Sequence, residues 1–410
     1  MDNETLQNFY LLKNPIQRYA WGSKQWIQDI LSLPESDRHV PIAEVWMGAH
    51  PRAPSLAVYD TFEQRLDSLI QARPAYFLGA ETAEEYRTLP YLFKLLAAAT
   101  PLSIQAHPNK KQAEEGFARE EMAGIPINAE NRNYKDANHK PEIICAITPF
   151  TAMCGFREQD KIGALLSLLD IPQLQHCIEA IHQHDSRSAY EAFLQSLFNI
   201  PHREGLNLTK SLQDKIPVLK KKHPLYATEW ELIDRFCRLY PGDSAVIAPL
   251  YLNVLSLKPG EALFLPAGVL HAYVEGFGVE LMANSDNVLR GGLTPKHIDV
   301  PELLRIIRFE AFKPEILSPI ETDNALRLYP SPASEFTLFR MDITEGKPQE
   351  LLPGKPTIII VIEGSAQIDS GRETMELHKG MSLFLPASRS LLTLEGSAQI
   401  FGASTGSGLQ

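Results

Sequence analysis

The sequence has few cysteines for its length, and none has a metal-binding spacing. Only four occur in 410 residues, and no two of them form a CxxC pair. This argues against a small disulfide-stapled scaffold and against a cysteine-based zinc module. Because all four lie among apolar neighbours, we expect them to be reduced core residues. They are Cys145, Cys154, Cys177 and Cys237.

Long apolar runs and excess positive charge are also missing. No apolar run reaches the roughly 18 residues that cross a bilayer, and TIIIVIEG, the most apolar stretch, has the length of a strand. The opening MDNETLQNFY lacks the basic and apolar regions of a signal peptide. The formal net charge of −11 argues against general nucleic-acid binding. We therefore expect a cytoplasmic protein that binds neither membranes nor nucleic acids.

The sequence does contain a repeat. Residues 257–276, LKPGEALFLPAGVLHAYVEG, match residues 377–396, LHKGMSLFLPASRSLLTLEG, at a constant offset of 120 residues. Short alternating strands with PG, EG and PA turns indicate antiparallel β-structure. Proline-glycine hairpins can look alike by chance, but a gapless match of this length favours two related β-sandwich or jelly-roll units.

Before the first copy, from about residue 159 to 240, the chain has helical periodicity. In TEWELIDRFCRLYPG, Thr228 and Glu231 have capping-box spacing, and one face is apolar. That face carries Trp230, Ile233 and Cys237. We predict a helical insertion that interrupts the first β-unit.

Two histidines of this helical region do not form a metal-binding pattern. His182 and His184 lie two residues apart, so on a helix they point to different sides. We expect a solvated surface there.

Candidate metal ligands lie in the β-regions. In PLSIQAHPNK, strand alternation puts Gln105 and His107 on one face. In NHKPEII, a strand that starts after the proline has Glu142 as its first inward residue. With His271 from the repeat, these side chains could bind zinc or another first-row divalent ion inside a barrel. The alternatives are histidines satisfied by hydrogen bonds and a Glu142 carboxylate paired with Lys140.

The repeat makes a further prediction about His271. The second copy has Leu391 at the corresponding place. We expect both side chains to point into their barrels, with His271 as a metal ligand and Leu391 as a packing residue.

Charged residues gather near the candidate ligands. Lys140 precedes Glu142 by two positions, and the segment after His271 carries further charges, which are Glu280, Asp286, Arg290 and Lys296. SDNVLRGG has the polar residues and glycines of a loop at the mouth of a barrel. Its cations would attract phosphate and an enediolate. A solvated loop of salt bridges is the alternative.

Five blocks of the sequence together resemble type I mannose-6-phosphate isomerases. They are YAWGS at 19–23, AEVWMGAHPRAPS at 43–55, LFKLLAAATPLSIQAHPNK at 92–110, NYKDANHKPE at 133–142 and SDNVLRGGLTPKHID at 285–299. The blocks follow the order of that family, and QxHPNK with NHKPE is its most specific feature. Ala137 stands where many members have proline, and this touches no candidate ligand.

The resemblance implies a mainly β fold of cupin-type jelly-roll domains with an inserted α-helical domain. Placed on this chain, it implies a catalytic domain at 1–155 and 243–310, the helical domain at 156–242 and a metal-free cupin domain at 311–410. It also implies one Zn²⁺ per chain, bound at Gln105, His107, Glu142 and His271. The active-site arginine of the family falls on Arg290.

The implied reaction interconverts mannose 6-phosphate and fructose 6-phosphate through a cis-enediol. We expect Arg290 to stabilise the developing charge, with Lys140 helping at the substrate oxygens or the phosphate. The sequence does not rank His139, Glu280 and Asp286 as the proton-transfer base. Lys296 would bind phosphate or pair with Asp299. Two further substrate-binding residues are predicted, Ser103 and Tyr273.

Other functions remain as alternatives. A cupin oxygenase would hold iron on two histidines and a carboxylate, but Gln105 and the cations count against it. A non-catalytic sugar-phosphate sensor would keep the pocket and lose a ligand or Arg290, all of which are present. No Gly-rich nucleotide-binding segment supports a fused nucleotidyltransferase. We expect a monomer whose only partner is a small phosphosugar.

Overall fold

The computed structural model describes residues 6–59, 62–183, 186–322, 326–387 and 390–406. Within them the strands are β1 Tyr10–Lys13, β2 Ile16–Gln17, β3 Glu44–Gly48, β4 Leu56–Tyr59, β5 Phe62–Arg65, β6 Tyr91–Ala98, β7 Gln105–Ala106, β8 Glu142–Ala146, β9 Phe150–Phe156, β10 Leu252–Leu257, β11 Ala262–Leu265, β12 His271–Ala283, β13 Leu289–Arg290, β14 Ile316–Leu317, β15 Ile320–Glu321, β16 Arg327–Tyr329, β17 Thr337–Ile343, β18 Gln349–Leu351, β19 Thr357–Asp369, β20 Thr374–His378, β21 Ser382–Leu385 and β22 Leu392–Ser404.

The longer α-helices concentrate in the middle of the chain. They are α1 Trp26–Ile30, α2 Leu66–Ala72, α3 Pro74–Leu78, α4 Ala80–Glu85, α5 Lys110–Met122, α6 Gln159–Ser167, α7 Gln175–Gln183, α8 Ser186–Phe198, α9 His202–Lys222, α10 Ala227–Leu239, α11 Ala248–Tyr251 and α12 Val300–Ile306. Short 3-10 helices lie at Glu35–Asp37, Pro172–Leu174, Pro224–Tyr226 and Ser244–Ile247. Among the helices of the described ranges, none is long and apolar enough to span a bilayer.

Two antiparallel sheets of 11 strands each carry the fold. The first has the order β14-β11-β8-β12-β6-β3-β2, with β7, β9, β10 and β13 attached beside it. The second has the order β15-β16-β17-β22-β19-β21-β1-β4-β5, with β18 and β20 attached. Helices α6 to α11 lie between β9 and β10 in the sequence. The predicted fold class, mainly β with a helical insertion, is confirmed.

Strand alternation divides the apolar side chains among separate cores. We call the strands of the first sheet the first barrel and those of the second sheet the second barrel. In β11, Leu263 and Leu265 pack with Phe150 inside the first barrel, whereas Phe264 faces a core shared by the two sheets. In β21, Leu383 and Leu385 pack inside the second barrel. The helices have a core of their own that continues into the first barrel. All four cysteines are buried free thiols, as predicted.

The segment before residue 66 contributes strands to both sheets. Strand β1 pairs with β21 in the register Tyr10↔Phe384, and β4 pairs with β1. Strands β2 and β3 belong to the first sheet instead. The predicted 1–155 segment therefore does not lie in one sheet. The division at 155, 242 and 310 stays a prediction.

Helix α10 starts two residues earlier than the predicted capping box requires. Its first residue is Ala227, the N-cap is Tyr226, and no side chain caps the helix. Thr228 thus lies inside the first turn, because a 3-10 helix at 224–226 leads straight into α10. The capping box was wrong, but the predicted apolar face is buried as expected, at Trp230, Ile233 and Cys237.

The histidine pair of the helical region is only partly described. His182 is exposed in the last turn of α7. His184 lies outside the described residues.

The two copies of the repeat also share the backbone conformation of their turns. Gly260 and Gly380 have φ of 87° and 88°, and Gly276 and Gly396 have 142° and 140°. L-residues rarely adopt these values, so the conserved spacing of glycines between the copies has a conformational cause.

The structural counterpart of His271 is Leu392, so the prediction for Leu391 was wrong. The ladder of β12 on β9 shifts register between Tyr273 and Glu275, which leaves Val274 as an extra residue. Strand β22 has no such shift over 392–396, so counting back from the paired glycines leads to Leu392. Leu392 is fully buried in the second barrel, whereas Leu391 is 46% exposed.

Truncation of Leu392 is expected to destabilise the protein without affecting the candidate ligands. Leu392→Ala should cost about 2–5 kcal/mol, because it removes a fully buried side chain and leaves a cavity. Leu391→Ala is the matched control and should change the free energy of unfolding by less than about 0.5 kcal/mol. Denaturant unfolding and metal analysis of both variants test this. A loss of more than about 0.5 kcal/mol of unfolding free energy in Leu391→Ala would contradict this prediction. Loss of metal in either variant would also contradict it.

Candidate metal centre and substrate cavity

Three predicted ligands meet inside the first barrel. Glu142 begins β8, His271 begins β12, and His107 directly follows β7. Ligand atoms of these side chains lie within 4.8 Å of one another, and each residue is only 1% exposed. The ladders fix the arrangement, since β8 pairs with β12 and His271 is opposite Gln105 of β7.

Both imidazoles present an unprotonated nitrogen to Glu142. His107 Nδ1 donates to the carbonyl of Asn287 at 2.7 Å, and His271 Nδ1 donates to the carbonyl of Val269 at 2.9 Å. Because a carbonyl only accepts, these bonds fix the tautomers and leave lone pairs on Nε2. The two Nε2 atoms lie 3.3 and 3.4 Å from the Glu142 carboxylate.

These inward atoms have no hydrogen-bond partner. Within the described residues, Nε2 of His107, Nε2 of His271 and Oε2 of Glu142 are buried and unsatisfied. Buried polar atoms are normally paired. Here two imidazole nitrogens and one carboxylate oxygen converge, a set of donors suited to a divalent first-row metal. The residues therefore fit a metal ion. The alternative of histidines satisfied by hydrogen bonds explains Nδ1 but leaves Nε2 without a partner.

The electrostatics keep the ligands in their metal-binding protonation states. Burial would raise the pKa of the Glu142 carboxyl, but the Lys140 ammonium 3.0 Å away holds it well below its ordinary value. Burial lowers the pKa of His107 to about 4, although Glu142 opposes the shift. At neutral pH the site thus presents a carboxylate and a neutral imidazole.

Gln105 lies at the edge of this cluster. It is half-buried, and its backbone pairs with His271 on one side and with Arg290 on the other. Its role as a fourth ligand stays a prediction.

A second group of buried charges lies next to the ligands. Lys94 Nζ is 2.7 Å from Glu280 and 3.6 Å from Glu44, and all three residues are buried. Glu44 also accepts from Trp46 Nε1 at 2.8 Å. Burial would lower the pKa of Lys94, but the two carboxylates raise it, so the ammonium stays charged. Burial raises the pKa of Glu280, and the Glu142 charge adds to this while Lys94 opposes it.

Sequence reasoning missed Lys94 and Glu44, although a signal existed. YLFKLLAA is an apolar strand with one lysine, and AEVWMG has one glutamate. Lysine and glutamate are rarely buried without a partner, so such isolated charges predict ion pairs across a sheet. The register that pairs Lys94 with Glu280 was not available from the sequence.

Two of the three predicted bases, His139 and Asp286, contact residues outside the group formed by Lys94, Glu280 and Glu44. His139 Nε2 lies 2.5 Å from Glu335 Oε1, a carboxylate in the loop before β17. Asp286 accepts from Arg52 at 3.0 Å and lies 3.7 Å from His50. Burial lowers the pKa of His50 to about 4, so its contact with Asp286 is that of a neutral imidazole.

A cavity of about 420 Å³ is lined by cations from the predicted mouth loop. Arg290 and Lys296 share it with Lys135. Burial lowers the pKa of Lys296, and the charges of Arg290 and Lys135 lower it further. Within the described part of the chain, no carboxylate forms an ion pair with any of the three. Lys296 does not pair with Asp299, whose carboxylate instead accepts from Asn133 and caps α12.

The other two predicted substrate-binding residues differ in exposure. Ser103 is half-buried two positions before Gln105. Tyr273 is 2% exposed inside the barrel, with its ring edge-on to Phe150 at 5.4 Å and 6.4 Å from the ring of His271.

A β-barrel with a buried His–Glu–His cluster in its interior defines a metal-binding cupin protein. Residues 9–159 match the model of the family "Phosphomannose isomerase type I, catalytic domain", and residues 327–404 match "Mannose-6-phosphate isomerase, cupin domain". The mannose-6-phosphate isomerase of Escherichia coli K12 is 40% identical over 95% of this chain and 97% of its own length. The human enzyme of that name is 34% identical over 92% and 93%.

Solved structures agree with the sequence matches. A mannose-6-phosphate isomerase from Salmonella typhimurium bound to fructose 6-phosphate and zinc has a TM-score of 0.88 and 35% identity, and the match covers 98% of this chain and all of that one. A zinc-bound mannose 6-phosphate isomerase has a TM-score of 0.89 with the same identity and coverage. The chain belongs to the type I phosphomannose isomerase family, a family of aldose-ketose isomerases.

Proposed function

We propose that this chain interconverts mannose 6-phosphate and fructose 6-phosphate with one zinc ion per chain. The observation that carries the proposal is an unsatisfied His–Glu–His cluster linked by strand pairing to a cationic cavity. Arg290 lines the cavity and pairs through its backbone with Gln105, which is opposite His271. The relatives named mannose-6-phosphate isomerase and the neighbour bound to fructose 6-phosphate and zinc support it. A cytoplasmic monomer stays our prediction.

We propose His107, Glu142 and His271 as zinc ligands, with Gln105 as the fourth. When bound, zinc supplies a Lewis acid for the carbonyl oxygen of the open-chain sugar. Lys140 is 3.0 Å from Glu142, so its ammonium can donate to a substrate oxygen beside the ligands. Arg290 and Lys296 would hold the negative charges of the substrate, with Lys135 as an added phosphate contact.

Glu280 is our choice for proton transfer among the three predicted candidates. His139 and Asp286 are bound by groups outside the barrel, whereas Glu280 is inside it with a raised pKa. A carboxylate with higher proton affinity is better suited to take the C2 proton of the aldose. The electrons of that C–H bond then form the C1=C2 bond, and the C1=O π pair moves to O1, which takes a proton to give the cis-enediol. Return of the first proton to C1, with loss of the O2–H proton as the C2=O bond forms, gives the ketose.

The experiment is a coupled assay of mannose 6-phosphate turnover before and after metal removal. Dialysis against a chelator should abolish turnover, and added zinc should restore it, because the three ligands have no other partner at Nε2 or Oε2. Metal analysis before and after dialysis gives the zinc content per chain. Full turnover in metal-free protein, or none in zinc-loaded protein, would overturn the proposal.

A further inference from the structure

Asn287 is a fully buried residue whose side chain joins two segments of the fold. Its Oδ1 accepts from the backbone N–H groups of Lys135 and Asp136, at 2.7 and 3.3 Å. Its Nδ2 donates to the carbonyls of Asp136 and Asn138, at 2.8 and 2.9 Å. It is 0% exposed. The side chain therefore holds residues 135–138 against the loop that follows β12.

The backbone of Asn287 makes a different contact. Its carbonyl accepts the Nδ1–H of His107 at 2.7 Å, which fixes the tautomer and ring orientation of that candidate ligand. Its N–H contacts Ser285 Oγ at 3.2 Å. One residue thus fixes a metal ligand through its backbone and a neighbouring segment through its side chain.

The segments on both sides of Asn287 line the cationic cavity. Asp286 and Val288 line it from the loop, and Arg290 lines it from β13. Lys135 lines it from the joined segment. Asn287 does not line it. A change in the position of Asn287 would therefore move both the His107 ring and the cations, without removing a group that touches metal or substrate.

We propose that Asn287 is a positioning residue that couples metal ligation to the arrangement of the anion-binding cavity. This deepens the proposed function and rests on it for the identity of the substrate. Outer contacts that orient a ligating histidine typically change metal affinity or activity by about 10–100-fold when lost. Here the same residue also holds the backbone of Lys135, which lines the cavity.

The test compares Asn287→Ala with Asn284→Ala in the full-length, zinc-loaded protein. Asn284 belongs to the same loop and also uses its side chain, which donates to the Leu89 carbonyl at 2.5 Å. It contacts no candidate ligand, so the control should lower the melting temperature only. Asn287→Ala should weaken zinc binding by about 10–100-fold and also weaken binding of inorganic phosphate. Zinc release to a chromophoric chelator and calorimetric titration with phosphate measure the two effects.

Ser285→Ala provides a milder variant if Asn287→Ala does not fold. Ser285 Oγ contacts Asp136 at 2.8 Å and the N–H of Asn287 at 3.2 Å. Ser285→Ala should therefore weaken both zinc binding and phosphate binding, each by less than Asn287→Ala does. The proposal is overturned if the folded variants release zinc like the control, or if zinc binding falls while phosphate binding stays unchanged. Neither measurement needs turnover, so absence of isomerase activity would overturn the proposed function and leave this result standing.

Discussion

Replacing His271 by leucine should give a folded protein that has lost its zinc and nearly all of its activity. The remaining donors would be His107, Glu142 and the weak neutral amide of Gln105, and a zinc site normally uses at least three strong protein ligands. The loss in affinity should exceed the roughly 10–100-fold that follows loss of an outer contact. The fold should survive because Leu392 occupies the corresponding position of the second barrel.

Zinc analysis, thermal melts and turnover of His271→Leu decide this result. His176→Leu is the matched control, since the same substitution there affects a side chain that is 90% exposed on α7. The control should keep zinc and activity. Stoichiometric zinc in dialysed His271→Leu would show that His271 is not a ligand.

Arg290→Ala should lower kcat by about 10²–10³-fold while zinc stays bound, the usual loss when one stabiliser of developing charge is removed. Arg290 is half-buried, has no ion-pair partner within the described ranges, and pairs through its backbone with Gln105 beside the ligands. Its guanidinium is thus free to bind the reacting part of an anionic substrate. Steady-state kinetics and zinc analysis on the same samples measure both expectations.

Two further variants sharpen the assignment of Arg290. Arg290→Lys keeps the charge but loses the planar fork, so it should recover only part of kcat. Lys296→Ala changes a more exposed cation of the same cavity and should mainly raise KM. If Arg290→Ala raised KM and left kcat unchanged, Arg290 would bind phosphate and would not stabilise the transition state.

The convergence of His107, Glu142 and His271 could be predicted because period-two alternation decides which side chains face into a barrel. His107, Glu142 and His271 each come from a short strand or its end, and three such inward positions can meet only in the interior. The resemblance to a known family pointed to the same residues. The burial of the apolar face of α10 was predicted on the same kind of evidence, a helical period.

Features that depend on strand register could not be predicted. One extra residue in β12 moves the counterpart of His271 from Leu391 to Leu392, and a gapless alignment cannot show a bulge. The Lys94–Glu280 ion pair depends on the pairing of β6 with β12. The bonds from Asn287 to residues 135–138 join two loops whose contact no local pattern indicates.

The pairing of β1 with β21 has a consequence for how the chain reaches its native state. Tyr10 is opposite Phe384, so the edge of β1 that faces away from β4 has no partner until almost the entire chain is present. Contacts of such sequence separation form slowly, and an unpaired strand edge invites association with other chains. A fragment that ends before β15 would keep every predicted zinc ligand and still expose the edge of β1. We therefore expect such a fragment to aggregate during synthesis, so the second barrel would protect the first barrel during folding.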